Sequence, residues 1–249
     1  ADELSRAIEN DPSITLKLLN LANSAFFGFT RKIKSIKDAI SLLGNQTVKN
    51  TILNIAIYEA TKDLGDSAGL DKNQFWLHSA GVGSVARTLS AKLGLEREEA
   101  FTAGIVHDMG KILLDSMYKD FYLEVLERAQ SESISLYEAE VTVIGLEHGQ
   151  IGRELAESWG LPAELIEAVA CHHRPMRSEK DVQIASLVHV SDAVARKLGV
   201  GSGGDSTVPE PASFALDRLG LSAEKLEELE PEIQEAVDRD KAFLAVIKS

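Results

Sequence analysis

Five of the six histidines in this chain fall, together with two aspartates, on separate stretches: His78, His107-Asp108, His148, His172-His173 and Asp192. Imidazole nitrogens and carboxylate oxygens are the donors that first-row transition metals prefer. Taken singly, each of these histidines reads as an ordinary core or surface residue. Taken together they read as a set that a fold must gather. His107 and Asp108 are adjacent, so on a helix their side chains diverge by about 100° and reach different quarters of one site. An aspartate has two oxygens and can bridge two cations roughly 3.5–4 Å apart, an arrangement suited to opening a phosphate ester. His172-His173 repeats the adjacent-pair device. His78, His148 and Asp192 have small neighbours (Ser79, Ala80, Gly149, Gly152, Ala193) that let helices approach closely.

The elements that must position these residues read as helical almost throughout. Asp11-Pro12 is an N-cap and first-turn signal, followed by Ile14, Leu18, Leu21 and Ala22 at helical spacing. Ser35 opens SIKDAISLLG, which stops at Gly44, and TVKNTILNIAIYEA predicts a third helix. A long helix is expected from Asp71 through His78 to about Gly94. GLEREEAFTAGIVHDMGKILL predicts one more, with His107-Asp108 near its end. Ser135 and Glu138 form a capping-box spacing that starts a helix carrying His148 and ending at Gly160. Pro162 starts another that ends at His172-His173, and residues from about 182 to 198 form a further helix with Asp192. Two amphipathic helices are expected around Leu216–Leu229 and Pro231–Ile247. No period-two alternation persists, so the expected fold class is all-α. The turn-rich GDSAGLDKN divides an N-terminal helical lobe (1–65) from a second helical lobe (66–200). GVGSGGDSTVPEP reads as a flexible linker (201–212), with terminal helices (213–249) packing back on the domain.

At 249 residues the chain can bury a substantial core. Its 44% hydrophobic and 26% charged content are those of an ordinary globular protein. A formal charge of −13 argues against an electrostatic grip on nucleic acid or an anionic membrane. The single cysteine, Cys171, excludes an intrachain disulfide framework and suits a reducing compartment. No apolar run is long enough to span a membrane, and the opening ADELSRAIEND has no signal-peptide regions. The expected location is cytoplasmic. Without an initiator methionine, the chain reads as processed or excised. No glycine-rich phosphate loop, Ser-His-Asp order or zinc-type cysteine pattern is present.

AGIVHDMGKILLD resembles the His-Asp signature of the HD superfamily of metal-dependent phosphohydrolases. EHGQIGRELAESWGLPAELIEAVACHHRP, with the earlier DPSITLKLLNLANSAFFG and IKSIKDAISLLG, narrows the resemblance to the HDOD family, the HD-related output domain, over residues 1 to 200. That resemblance implies an HD-domain-like helical fold and a bacterial signalling domain, often joined to flanking domains. Many members lack the ligands that this chain keeps. Carried over by resemblance, one metal would take His78, His107, Asp108 and Asp192. The other would take a bridging Asp108 with His148, His172 and His173. The expected cofactors are two divalent transition-metal ions, iron or manganese foremost, with zinc or nickel also compatible. Lys111, one turn beyond Asp108, matches a lysine that contacts substrate phosphate in such enzymes; it reads equally as a solvated surface lysine.

Two departures weaken a cyclic-dinucleotide phosphodiesterase reading. Arg174-Pro175-Met176 follows the histidine pair where related enzymes carry a Gly-Tyr-Pro segment, and Gln74 stands where some carry a third-metal glutamate. Two functions follow. In one, the chain is a signalling module with a metal site, its partner a signalling protein or a flanking domain. In the other, it is a metal-dependent phosphohydrolase or phosphodiesterase acting on a nucleotide or cyclic dinucleotide, its partner a phosphate-containing small molecule, with Asp108 and Lys111 in the chemistry. His189 reads as a core or surface residue, or as a support for Asp192. Cys171 reads as a small buried apolar residue, and Asn20, Asn23 and Ser24 as backbone-satisfying groups at a helix end. Phe26, Phe27, Phe29, Trp76 and Trp159 read as packing. The acidic run EKLEELEPEIQEAVDRD reads as a solvated helix face.

Overall fold

The computed structural model describes residues 2–62, 64, 67–95 and 97–248, and within them every regular element is helical. The N-terminal part comprises α1 (Asp2–Glu9), α2 (Pro12–Ala22), α3 (Ile36–Leu43) and α4 (Asn45–Lys62). Asp11 caps α2 by accepting from the Ser13 and Ile14 amides, and Ser35 caps α3 through the Asp38 amide. Asn23 pins the irregular stretch between them: its amide donates to the Leu19 and Ile33 carbonyls, and its Oδ1 accepts from the Ile33 amide. The expected boundary at Gly65 and Asp66 lies outside the described residues.

Asp71 then caps α5 (Lys72–Lys92), the central helix, on which α6 (Ala100–Val106), α12 (Val182–Lys197) and α14 (Ala223–Ile247) all pack. Between them run α7 (Met109–Met117), α8 (Lys119–Glu132), α9 (Leu136–Val143), α10 (His148–Ser158) and α11 (Ala163–Cys171), and α13 (Ser213–Leu219) follows α12. One hydrophobic core runs through both parts. Phe26, Phe101 and Phe243 form its aromatic centre, with Phe26–Phe101 and Phe101–Phe243 ring centroids each 5.1 Å apart. Trp76 joins this core, whereas Trp159 and Phe29 are more than a third exposed.

Five expectations are corrected. The helix expected through His107-Asp108 is broken there into α6 and α7. The one expected from Ser135 to Gly160 is two, and His148 begins the second. The terminal helices divide at Gly220, which adopts φ +64°, and α14 continues straight through Pro231. Pro231 is exposed while Leu226, Leu229, Ile233, Val237 and Phe243 form an unbroken buried stripe, so packing outweighs the lost backbone bond. Asp240, within the acidic run, is buried and accepts from Ser84 Oγ at 2.7 Å and Arg87 at 2.5 Å.

The last correction concerns residues 201–212, which are held against the domain rather than free. The Ser202 amide donates to Gln74 O, the Gly203 carbonyl accepts from Lys111, and Asp205 accepts from Arg196 and the Leu136 amide. A glycine-rich composition permits flexibility, but specific buried partners remove it.

Close backbone approach makes this packing possible. A Cβ on Gly104 of α6 would lie 2.4 Å from the Gly83 nitrogen of α5, and one on Gly110 would lie 2.0 Å from the His148 carbonyl oxygen. Backbone cannot rotate away as a side chain can. Gly104→Ala is therefore expected to cost about 3 kcal/mol or more, read as a lower urea midpoint at unchanged slope.

Candidate metal centre

Helix ends deliver most of the histidines. His78 sits in the second turn of α5, His107-Asp108 at the α6–α7 break, His148 at the first position of α10, His172-His173 just past α11, and Asp192 within α12. The break at 107–108 lets both side chains point inward where a continuous helix would have spread them. His78, His107, Asp108, His148, His172 and Asp192 are buried, and His173 is half-buried.

These side chains form two adjoining groups, Asp108-His148-His172-His173 and His78-His107-Asp192. In each, the donor atoms lie within 4.8 Å of one another. In the first, Asp108 Oδ1 is 3.0 Å from His148 Nε2 and 3.5 Å from His172 Nε2. In the second, Asp192 Oδ1 is 2.9 Å from His78 Nε2 and 4.0 Å from His107 Nε2. The other oxygen of Asp108 lies 3.2 Å from His107 Nε2, so this carboxylate faces both groups.

The outward nitrogens fix the tautomers. His107 donates from Nδ1 to the Gly104 carbonyl at 2.7 Å, His172 from Nδ1 to the Val169 carbonyl at 2.9 Å, and His148 from Nδ1 to Glu140 at 2.6 Å. Each imidazole thereby turns its Nε2 inward, as metal-ligating histidines do. Inside, the hydrogen bonding does not close. His148 Nε2 is 3.3 Å from His172 Nε2 and 2.9 Å from His173 Nε2, and one proton can serve only one of these pairs. Both His78 nitrogens, His107 Nε2 and Asp108 Oδ1 are buried without a hydrogen-bond partner. Short distances without hydrogen-bond geometry are what donors aimed at a common cation present. The residues therefore fit a pair of transition metals by donor type, convergence and unmet valence.

Charge in the site is balanced by buried cations. Burial alone would raise the Asp108 carboxyl; the charges of His107 and Lys111 outweigh it and hold the group well below the ordinary range. Burial likewise opposes ionisation of Asp192, and Arg196 and His78 override it. Burial drives His172 down to about 4, while His148, against its burial, is drawn up to about 9 chiefly by Glu140.

Lys111 is 1% exposed, so the solvated reading fails: it donates to Asp108 Oδ2 at 2.8 Å and to the Gly203 carbonyl at 3.1 Å. Three residues escaped the sequence reading. Glu140 accepts from both the backbone amide and the Nδ1 of His148; a charge on the apolar face of α9 was its signal. Arg196 donates to Asp192 and to Asp205, each at 2.9 Å; its i,i+4 spacing from Asp192 was legible. Asp205, in an aperiodic loop, gave none. His189 bonds to the His172 carbonyl at 2.7 Å and accepts from the Ala212 amide at 3.0 Å, so it supports the histidine pair and the loop, not Asp192. Cys171 is buried beside Glu167 and Arg153. A cavity of about 160 Å³ reaches the site between Lys111, Tyr137, His173, Asp192, Arg196 and Thr207.

Comparison with known proteins identifies the family. The HDOD domain family matches residues 1–175. The fold is similar to that of an HDOD domain protein of unknown function from Geobacter sulfurreducens, with TM-score 0.83 and 25% identity over 97% of this chain and 86% of that one. An uncharacterized protein of Treponema pallidum is 24% identical over 213 residues, 79% of this chain and 41% of its own length. Ribonuclease Y of Mesoplasma florum is 26% identical over 168 residues, 65% of this chain and 27% of its own length. The chain thus spans less than half the length of these curated relatives. No helix among the described residues is long and apolar enough to cross a membrane. On the matched span and the shared helical architecture, this chain belongs to the HDOD domain family.

Proposed function

We propose that this HDOD domain is a signal-transduction module whose core holds two transition-metal ions, one in each histidine–aspartate group, with Asp108 shared between them. The carrying observation is the inward convergence of Nε2 atoms whose Nδ1 protons are committed elsewhere, beside a carboxylate oxygen with no hydrogen-bond partner. His78, His107 and Asp192 would hold one ion, and His148, His172 and His173 the other. Imidazole with carboxylate suits iron or manganese, and zinc and nickel are chemically compatible. The partner is a signalling protein or a neighbouring domain.

When bound, such a pair of ions supplies Lewis acidity toward phosphate oxygens. What this chain's own residues do argues for a module rather than an enzyme in the present conformation. Lys111 is neutralised by Asp108 and tied to Gly203, and Arg196 is shared between Asp192 and Asp205. The cavity of about 160 Å³ at the site is small, and a larger one of about 670 Å³ adjoins it along His78, Arg196, Gly203 and Asp205, so these tethers rather than volume bar a phosphate ester. A phosphohydrolase of phosphodiesters is the second reading, favoured by the intact donor set beside a lysine and by the similarity to ribonuclease Y.

Elemental analysis after anaerobic reconstitution should find two iron or manganese ions per chain, and His148→Ala should retain one. Chelation should lower the melting temperature by roughly 5–10 °C per site lost, from about 2.7 kcal/mol of binding stabilisation at a hundredfold excess over Kd. Failure to retain any metal would overturn both readings. The two-metal protein should not turn over bis-p-nitrophenyl phosphate; turnover abolished by Asp108→Asn would establish the hydrolase instead. Glu140→Ala should weaken metal at the His148 group by about 10–100-fold and leave the His78 group loaded, as read by chelator competition.

A further inference from the structure

Most anchors of the 201–212 loop fall on metal-centre residues or on their immediate neighbours. Gly201, at φ +63°, lies so close to α5 that a Cβ there would stand 2.3 Å from the His78 nitrogen. The Ser202 amide donates to the Gln74 carbonyl, one turn before His78. The Gly203 carbonyl accepts from Lys111 at 3.1 Å, and Asp205 and the Thr207 carbonyl accept from Arg196 at 2.9 and 3.3 Å. At the far end the Ala212 amide donates to His189 Nε2, whose Nδ1 donates to the His172 carbonyl.

The two cations in this set are shared. Lys111 also donates to Asp108 Oδ2 at 2.8 Å, and Arg196 Nε donates to Asp192 Oδ1 at 2.9 Å. Asp192 Oδ1 is the same atom that lies 2.9 Å from His78 Nε2. One carboxylate in each donor group is therefore held by a cation that also holds the loop. The side chains of Lys111, Arg196 and Asp205 are 1%, 8% and 3% exposed, so solvent screens these pairs weakly.

A divalent ion requires the same carboxylates. It competes with Lys111 for Asp108 and with Arg196 for Asp192, and it repels both cations at short range. A buried cation deprived of one partner must lean on another. For Arg196 that partner is Asp205, with the Thr207 carbonyl beside it; for Lys111 it is the Gly203 carbonyl. All three acceptors belong to the loop.

We infer that residues 201–212 form a metal-responsive clamp: loading of the centre shifts Lys111 and Arg196 from Asp108 and Asp192 onto Gly203, Asp205 and Thr207, tightening the loop over the site. Asp205 is the positioning residue, acting on Asp192 through Arg196. The inference rests on the two-metal reading and gives it an output. Ser206, Val208, Pro209 and Glu210 are exposed, so occupancy of a buried centre alters the order of a surface segment. Linkage makes the effect reciprocal: closing the loop raises metal affinity by the factor by which metal favours closure.

Hydrogen exchange of the full chain, followed by mass spectrometry with and without manganese, tests the coupling. Exchange in 201–212 should slow roughly tenfold on loading, with α3 in the N-terminal part unchanged. Asp205→Asn keeps the shape and removes the charge. It should weaken manganese about tenfold in chelator competition and lose most of the loop protection. Lys111→Met removes the competitor for Asp108 and should tighten manganese binding by roughly tenfold. The opposite signs separate this device from a merely structural role, in which both substitutions weaken binding. Bound manganese with loop exchange unchanged or faster, or both substitutions moving affinity in one direction, overturns the clamp alone. No retained manganese overturns the two-metal reading and the clamp together.

Discussion

The structure turns on the burial of Asp108. A carboxylate removed from water demands several kcal/mol of compensation, and here imidazoles crowd one oxygen while Lys111 bonds the other. Asp192 is treated alike, between His78 and Arg196. Each anion is thus confronted by histidines from several helices and by one buried cation. Helix ends and breaks, not helix middles, supply most of these groups, because a chain that changes direction can aim adjacent side chains inward. The break between α6 and α7 and the start of α10 at His148 are therefore consequences of the site as much as supports for it.

Bringing that many polar groups together requires helices to come closer than ordinary side chains permit. Glycines at the α5–α6 crossing and at the α7–α10 contact provide the room, with backbone against backbone at Gly83 and Gly104 and at Gly110 and His148. Residues on successive segments then meet within hydrogen-bonding range. The outward Nδ1 bonds to Gly104, Val169 and Glu140 hold the rings in orientation. What the fold does not supply is enough protons for the inward nitrogens, and that shortage is the strongest physical sign that cations belong there.

Part of this was legible in the sequence. Residue type and placement picked out the seven candidate residues, the resemblance to the HD superfamily assigned them to two metals, and all seven side chains converge in the two groups. The fold class followed from periodicity. The break at 107–108 was not legible, because neither proline nor glycine forces it, whereas that at 144–147 had a signal in Gly145, which adopts φ +80° just past the end of α9. Pro231 misled in the opposite sense, since a buried stripe carries α14 past it. The 201–212 loop looked unconstrained because its constraints are single partners, Lys111, Gln74 and Arg196, distant in sequence.

Asp205 gives that loop a further significance. Its carboxylate occupies the guanidinium of Arg196 while the neighbouring Gly203 carbonyl occupies the ammonium of Lys111. An incoming oxyanion would find both of these cations engaged; to reach Arg196 it would have to displace a tethered carboxylate already in residence. Entry is then an exchange of one negative group for another. The apparent affinity of any phosphorylated visitor is discounted by the fraction of molecules in which the tether has let go.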